Sequence, residues 1–281
     1  MTCHSTDRSA EDLLVTIQQR LASPDPFANL HKALKLRSAN TGKWYLQGAQ
    51  FEAYKAQSFY FGWLYGSAGS GKTILSAGII DSLQHFCSKD PARSLAFFFF
   101  DFNDVAKQGA NNMAKSLLSQ FLQKCTGIPD AAQRLSTTAS EQQLLNALRD
   151  IMETLPMPFV VLDALDECND RERLFEILKE IHSWGNESLH MLVTSRKEVG
   201  IEDTLEDLVL FANRTCLESH LVDEDIRTYV HDRLTEDKSF RRWQGDPEMQ
   251  EEIEQTLGKQ ACGMYGRNLR CILGSHAKST L

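Results

Sequence analysis

The chain has 281 residues, enough for one large domain with appendages or for two small ones. Hydrophobic residues make up 42% and charged residues 24%, ordinary globular values that exclude wholesale disorder and fibrous repeats. Its 30 Lys and Arg against 38 Asp and Glu leave a formal net charge of −8, a balance that repels polyanions and argues against sequence-independent binding to nucleic acid.

No apolar run approaches the roughly 18 residues of a membrane span. The strongest, Leu95 to Phe100, is closed off by Arg93 and Asp101. Met1 to His4 show no basic region followed by an apolar core, so neither a secretory signal nor a membrane anchor is expected, and a cytoplasmic location is. The seven cysteines are scattered and form no Cys-x-x-Cys pair, which predicts reduced thiols and no zinc or redox centre.

In chain order, a first helix is expected from Ser9, with Leu13, Leu14, Ile17 and Leu21 on one face, ending at Ser23-Pro24-Asp25-Pro26. A second amphipathic stretch surrounds Leu30, Leu34 and Leu36. From residue 58 the pattern alternates between strand and helix. Phe59–Tyr65 predicts a buried strand, Ile74–Phe86 a helix and Ser94–Phe102 a second strand. Helical stripes follow at Met113–Leu122 and Leu144–Met152, then a strand at Phe159–Leu162, a helix at Leu174–Ile181, a strand at Leu189–Thr194 and a short one at Thr215–Leu217. Strands that read as continuous apolar runs between helices predict a parallel sheet covered on both faces, hence an α/β three-layer core. Beyond it, Asp223 can cap a helix carrying Ile226, Tyr229, Val230 and Leu234, and another helix near Pro247 carries Met249, Ile253 and Leu257.

The segment Gly66-Ser67-Ala68-Gly69-Ser70-Gly71-Lys72-Thr73 fits G-x-x-x-x-G-K-[ST] at every fixed position, between an apolar strand and an amphipathic helix. Glycines let the backbone curl so that N–H groups point at phosphate oxygens, and the following helix N-terminus favours the same anion. Lys72 then supplies a full charge to the β- and γ-phosphates, and the Thr73 hydroxyl is a ligand for Mg²⁺. About ninety residues downstream, Phe159-Val160-Val161-Leu162-Asp163 ends an apolar strand in a carboxylate. At the C-terminal edge of a parallel sheet, where ligands bind, Asp163 is placed to hold Mg²⁺ through its waters. Asp166 and Glu167 add two carboxylates, either of which can orient an attacking water; capping of the next helix is the competing reading for each. A further strand ends in Thr194-Ser195-Arg196, where Arg196 is positioned to reach a γ-phosphate, although arginines are common at strand ends.

Together, the Gly66–Thr73 loop, the Asp163-Ala-Leu-Asp-Glu strand end and the Thr194-Ser-Arg triplet resemble NACHT domains, P-loop NTPases of the STAND class of signal-transducing proteins. Thr41-Gly42-Lys43-Trp44, the Phe97–Asp104 segment and Asp225-Ile-Arg-Thr-Tyr resemble the fungal and nephrocystin-3-like branch. The resemblance spans residues 30 to 264. It implies an N-terminal helix and linker over 1–29, a P-loop NTPase core over 30–220, a partial helical lid over 221–264 and an atypical tail over 265–281. It places Thr41, Gly42 and Trp44 near the base. Family members continue into a winged helix that closes over bound diphosphate; here the match stops at Tyr265, so the helices from Asp223 to Leu257 are expected to dock loosely and to exchange nucleotide fast.

The leading functional expectation is a switch domain of a signalling or self/non-self recognition protein that binds ATP or GTP with Mg²⁺ and hydrolyses it slowly, with self-association or pairing with a longer NACHT protein as its protein contact. A nucleotide-holding scaffold without turnover is the alternative. A small-molecule kinase comes third; it needs a phosphate-closing Arg-rich lid, for which Arg227, Arg233, Arg241 and Arg242 are available.

Overall fold

A computed structural model describes residues 4–125, 127–217, 220–236 and 248–252. The chain opens with four helices, α1 (His4–Leu21), α2 (Phe27–Leu36), α3 (Lys43–Leu46) and α4 (Ala49–Ala56). Strand β1 (Tyr60–Tyr65) and helix α5 (Lys72–Ser88) flank the glycine-rich loop, and β2 (Arg93–Phe99) leads into α6 (Ala110–Leu122), α7 (Asp130–Gln133) and α8 (Glu141–Thr154). Then come β3 (Met157–Asp163), α9 (Arg171–Ser183), β4 (His190–Ser195), α10 (Ile201–Leu208), the short β5 (Arg214–Cys216) and α11 (His220–Glu236). The five strands form one sheet in the order β2-β3-β4-β1-β5, and every pairing is parallel.

The apolar strands divide their side chains between two cores. Phe98, Phe100, Val160, Leu162, Phe61 and Trp63 join a cluster with residues of α1, α6, α8, α9 and α10. Their neighbours Phe97, Phe99, Phe159, Val161, Tyr60 and Leu64 face the other way, onto α2, α3, α4, α5 and α11. A strand buried on both faces has no room for the polar alternation of a half-exposed strand, which is why the sequence shows runs there. The α/β three-layer architecture is as expected.

Local differences have local causes. Helix α1 starts at His4, ahead of Ser9, because nothing between them breaks a helix. Strand β2 stops at Phe99 and not at Phe102: the Asp101 carboxylate accepts from the Asn103 backbone N–H (2.9 Å), a turn that draws the chain away and leaves Phe102 63% exposed. Leu36, named with Leu30 and Leu34 in the second amphipathic stretch, is 47% exposed, whereas Leu30 is buried. Helix α11, expected to belong to a loosely docked lid, departs from that expectation. Val230 and Leu234 are buried in the α5-side core, Asp225 accepts from Gly42 N–H (2.7 Å) and Trp44 Nε1–H (2.9 Å), and Ser38 donates to Asp232, so this helix is docked. Helical backbone at 248–252 includes Met249, whereas Ile253, Leu257, Arg241, Arg242 and the 265–281 tail lie outside the described residues.

Candidate nucleotide site

The sheet order sets the geometry. Strand β4 lies between β1, which feeds the glycine-rich loop, and β3, which ends in Asp163. Residues 194–196 therefore emerge between the loop and the carboxylate.

Within the loop Gly69 and Gly71 have φ of 82° and 87°, left-handed values that a Cβ disfavours, and Gly71 caps the N-terminus of α5. Lys72 is nearly buried, its ammonium donating to the carbonyls of Gly66 (2.8 Å) and Ser67 (2.7 Å) and to Ser70 Oγ (3.3 Å). Beneath the loop Asp163 is 1% exposed and accepts three hydroxyl hydrogen bonds, from Thr73 to Oδ2 (2.7 Å) and from Ser76 (2.6 Å) and Thr194 (2.7 Å) to Oδ1. Burial pushes the Asp163 carboxyl above its ordinary range, even though those hydrogen bonds and the Lys72 charge pull the other way. Ser76 does work that the sequence motifs do not single out, and Thr194, named there only as part of the Thr194-Ser195-Arg196 strand end, holds Asp163. The signal was available for Ser76, which lies one helical turn beyond Lys72 on a helix that otherwise buries apolar residues.

The residue after Asp163 explains why it is small. Ala164 has φ 59° and ψ 53°, a left-handed conformation that reverses the chain at the strand end; its N–H donates to Thr194 Oγ1 (2.9 Å). A short 3-10 turn, Leu165–Glu167, then presents the two further acids. Neither caps the next helix: the N-cap of α9 is Asp170, which accepts from the Arg173 N–H at 3.3 Å. Asp166 is buried, with Oδ1 accepting from the Arg196 backbone N–H (2.9 Å) and Oδ2 paired with Arg196 Nε (3.0 Å). Glu167 accepts from the Phe102 N–H (3.0 Å). Partial burial raises the Glu167 carboxyl, and the charges of Asp166, Asp163 and Asp101 push it the same way against the Phe102 hydrogen bond. Asp101 itself stays below its ordinary range: burial would raise it, but hydrogen bonds from Asn103 and Asn29 and the Lys32 charge outweigh that.

A cleft of about 230 Å³ separates the two sides, with Ala68, Gly69 and Gly71 to Ile74 on one and Ala164, Asp166, Glu167 and Arg196 on the other. A smaller recess on the far flank of the loop, about 20 Å³, brings Thr41, Gly42 and Trp44 together with Ser70, Gly71 and Asp225. Among the described residues no group of three His, Cys, Asp or Glu could hold a metal ion. The Thr73 hydroxyl and the Asp163 carboxylate nevertheless sit side by side, an all-oxygen pair that suits Mg²⁺, which takes one or two protein ligands and completes its shell with water and phosphate oxygens.

A parallel α/β sheet with this loop at one strand end and a buried carboxylate at another is the architecture of a P-loop NTPase domain. The family described as "Nephrocystin 3, N-terminal" matches residues 40–196, more than half of the chain, and the chain belongs to it. Over 236 residues the chain is 24% identical to the vegetative incompatibility protein HET-E-1 of Podospora anserina, a match covering 79% of this chain and 17% of that protein. The chain thus spans less than a fifth of that relative's length. Among solved structures it is similar to the ORC1 protein of Aeropyrum pernix in complex with DNA (17% identity, TM-score 0.48, 76% of this chain and 50% of that one). It is also similar to a Walker-type ATPase of Pyrococcus abyssi (15% identity, TM-score 0.49, 79% and 64%). No helix among the described residues is long and apolar enough to cross a membrane.

Proposed function

We propose that the domain is a nucleotide-operated switch: it binds ATP or GTP with Mg²⁺ and hydrolyses the triphosphate slowly. The observation that carries this reading is the contact between Thr73 at the end of the loop and the buried Asp163, with Glu167 and Arg196 facing Thr73 across the cleft. In this reading the backbone N–H groups of Gly66 to Thr73 cradle the β-phosphate, aided by the N-terminus of α5. Lys72 exchanges its loop carbonyls for β- and γ-phosphate oxygens. Thr73 and Asp163 would hold the metal, the latter through its waters. When bound there, Mg²⁺ would supply positive charge that offsets the charge of the phosphates.

Glu167 is the better placed of the two acids to accept a proton from the attacking water. Its raised proton affinity suits a base, whereas both Asp166 oxygens are engaged by Arg196. Arg196, 44% exposed at its side chain, can turn from Asp166 to a γ-phosphate and so register which nucleotide is bound. Thr41, Gly42 and Trp44 border the base in this reading, and Asp225 links them to the lid. The name of the Podospora relative supports a place in self/non-self recognition. Self-association or pairing with a longer NACHT protein, a cytoplasmic location and the absence of nucleic-acid contact are further parts of the proposal, the last supported by the net charge of −8.

A nucleotide-holding scaffold is favoured by one observation, the engagement of the Asp166 carboxylate in an ion pair. Nucleotide content of the purified chain, followed by phosphate release from ATP and GTP, separates the two. The switch reading expects bound nucleotide and slow release; bound nucleotide without release supports the scaffold, and neither removes both.

A further inference from the structure

Arg171, the first residue of α9, makes two contacts that no nucleotide motif explains. Its Nη1 pairs with Glu198 Oε2 at 2.7 Å, and its Nη2 donates to the backbone carbonyl of Asp166. Glu198 lies two residues beyond Arg196, and Arg196 grips the Asp166 carboxylate through its own N–H and its Nε. The contacts close a ring: Asp166 to Arg196, along the chain to Glu198, across to Arg171 and back to Asp166. The ring ties the turn after β3 to the loop after β4, the two segments that face the loop Gly66–Thr73 across the cleft.

We infer that Arg171 is a positioning residue, which, with Glu198, sets where Arg196 and the Asp166–Glu167 turn stand relative to a bound γ-phosphate. The inference rests on the nucleotide-switch reading. A guanidinium is needed because its planar fork serves a carboxylate and a carbonyl at once, which a single ammonium cannot do in the same geometry. Arg171 and Glu198 side chains are 38% and 36% exposed, so as an isolated ion pair they matter little for stability. Their effect is on geometry: reacting groups must be held to within a fraction of an ångström, and a misplacement of about 1 Å can cost on the order of 100-fold in rate. Arg171 touches neither loop nor cleft in this arrangement and acts through Asp166 and Arg196.

The test compares Arg171→Met, Arg171→Lys and Glu198→Gln with wild type in the 281-residue chain. Three quantities are read: turnover of Mg-ATP, ADP affinity, and the ratio of ATPγS to ADP affinity. Arg171→Met is expected to lower turnover about tenfold, to reduce the ATPγS preference and to leave ADP affinity within about twofold. Arg171→Lys should recover only part of the loss. Glu198→Gln combined with Arg171→Met should be no worse than Arg171→Met alone, since both break one ring. A purely structural role would instead lower the melting temperature and both affinities together, leaving the ratio unmoved. Wild-type turnover and an unchanged ratio in Arg171→Met overturn the inference. Failure of the underlying reading shows differently, as a wild-type chain that binds neither ATPγS nor ADP, and it takes the inference with it. Where wild type binds without turnover, the affinity ratio still decides.

Discussion

The two walls of the cleft are built by different means. The loop side is nearly contiguous: residues 66–73 come from one strand-to-helix turn, and beneath them lies Asp163 of β3, held by Thr73, Ser76 and Thr194. The opposite wall, the turn 164–167 and Arg196, is held from behind by contacts with other segments: Glu198, Arg171 at the start of α9, and the Phe102 N–H beyond β2. On the loop side Lys72, Ser76 and Asp163 are buried and hydrogen-bonded, whereas the opposite wall rests on ion pairs with partly exposed partners. A contiguous wall suits the constant part of the task, holding phosphate and metal. An assembled wall can change its contacts when the terminal phosphate comes or goes, because ion pairs at partial exposure are individually weak.

If the walls divide binding from hydrolysis, substitutions should separate the two. The largest expected effect is on turnover: Glu167→Gln should slow phosphate release about 100-fold with triphosphate affinity nearly unchanged, as single-turnover and equilibrium binding measurements would show. Loss of affinity with normal turnover per bound nucleotide would place Glu167 on the other wall. Next, Asp163→Asn should weaken Mg-ATP binding about tenfold and leave metal-free ATP binding little changed, a contrast read by titrating with and without chelator. An equal loss in both conditions would make Asp163 a structural hydrogen-bond acceptor only.

The hinge between the walls can be tested through stability. Ala164 holds a left-handed φ of 59°, a conformation a β-branched residue adopts only with strain, so Ala164→Val should cost about 1–3 kcal/mol in chemical denaturation. Ala164→Gly should be close to neutral. The smallest effect concerns pH. Glu167 has a raised pKa in the folded chain, so its stabilising contribution is fully present below its unfolded value of about 4.3 and is lost as pH rises through the folded value. In nucleotide-free protein Glu167→Gln should therefore melt above wild type at pH 7, and the gap should close as pH falls toward about 4.

How much of this was legible in the sequence follows the same division. The glycine-rich loop and Asp163 could be read because their chemistry fixes residue types at fixed spacing beside apolar runs. The sheet could be read because double-sided burial leaves an unbroken apolar strand, as in Phe97 to Phe100. What could not be read depends on contacts between distant segments. That Asp170 caps α9, freeing Asp166 and Glu167 for the cleft, is a matter of which carboxylate reaches the Arg173 N–H. The pairing of Arg171 with Glu198 joins residues 27 apart that no local pattern relates. The docking of α11 escaped for the same reason: Asp225 meets Gly42 and Trp44 across more than 180 residues, and the helix's own periodicity says nothing of that partner. Short helices such as α3 and α4 lack the length over which an apolar period declares itself.

The most direct test of the central claim, that the Gly66–Thr73 loop is a nucleotide site, is equilibrium binding of Mg-ATP and Mg-GTP to the chain and to Lys72→Ala. Lys72 is part of neither apolar core and donates to the carbonyls of Gly66 and Ser67 and to Ser70 Oγ within its own loop, so the variant should fold. Wild type should bind at least one triphosphate saturably, and Lys72→Ala should lose on the order of 100-fold or more in affinity with an unchanged circular dichroism spectrum. Equal affinity in the two proteins would contradict the claim.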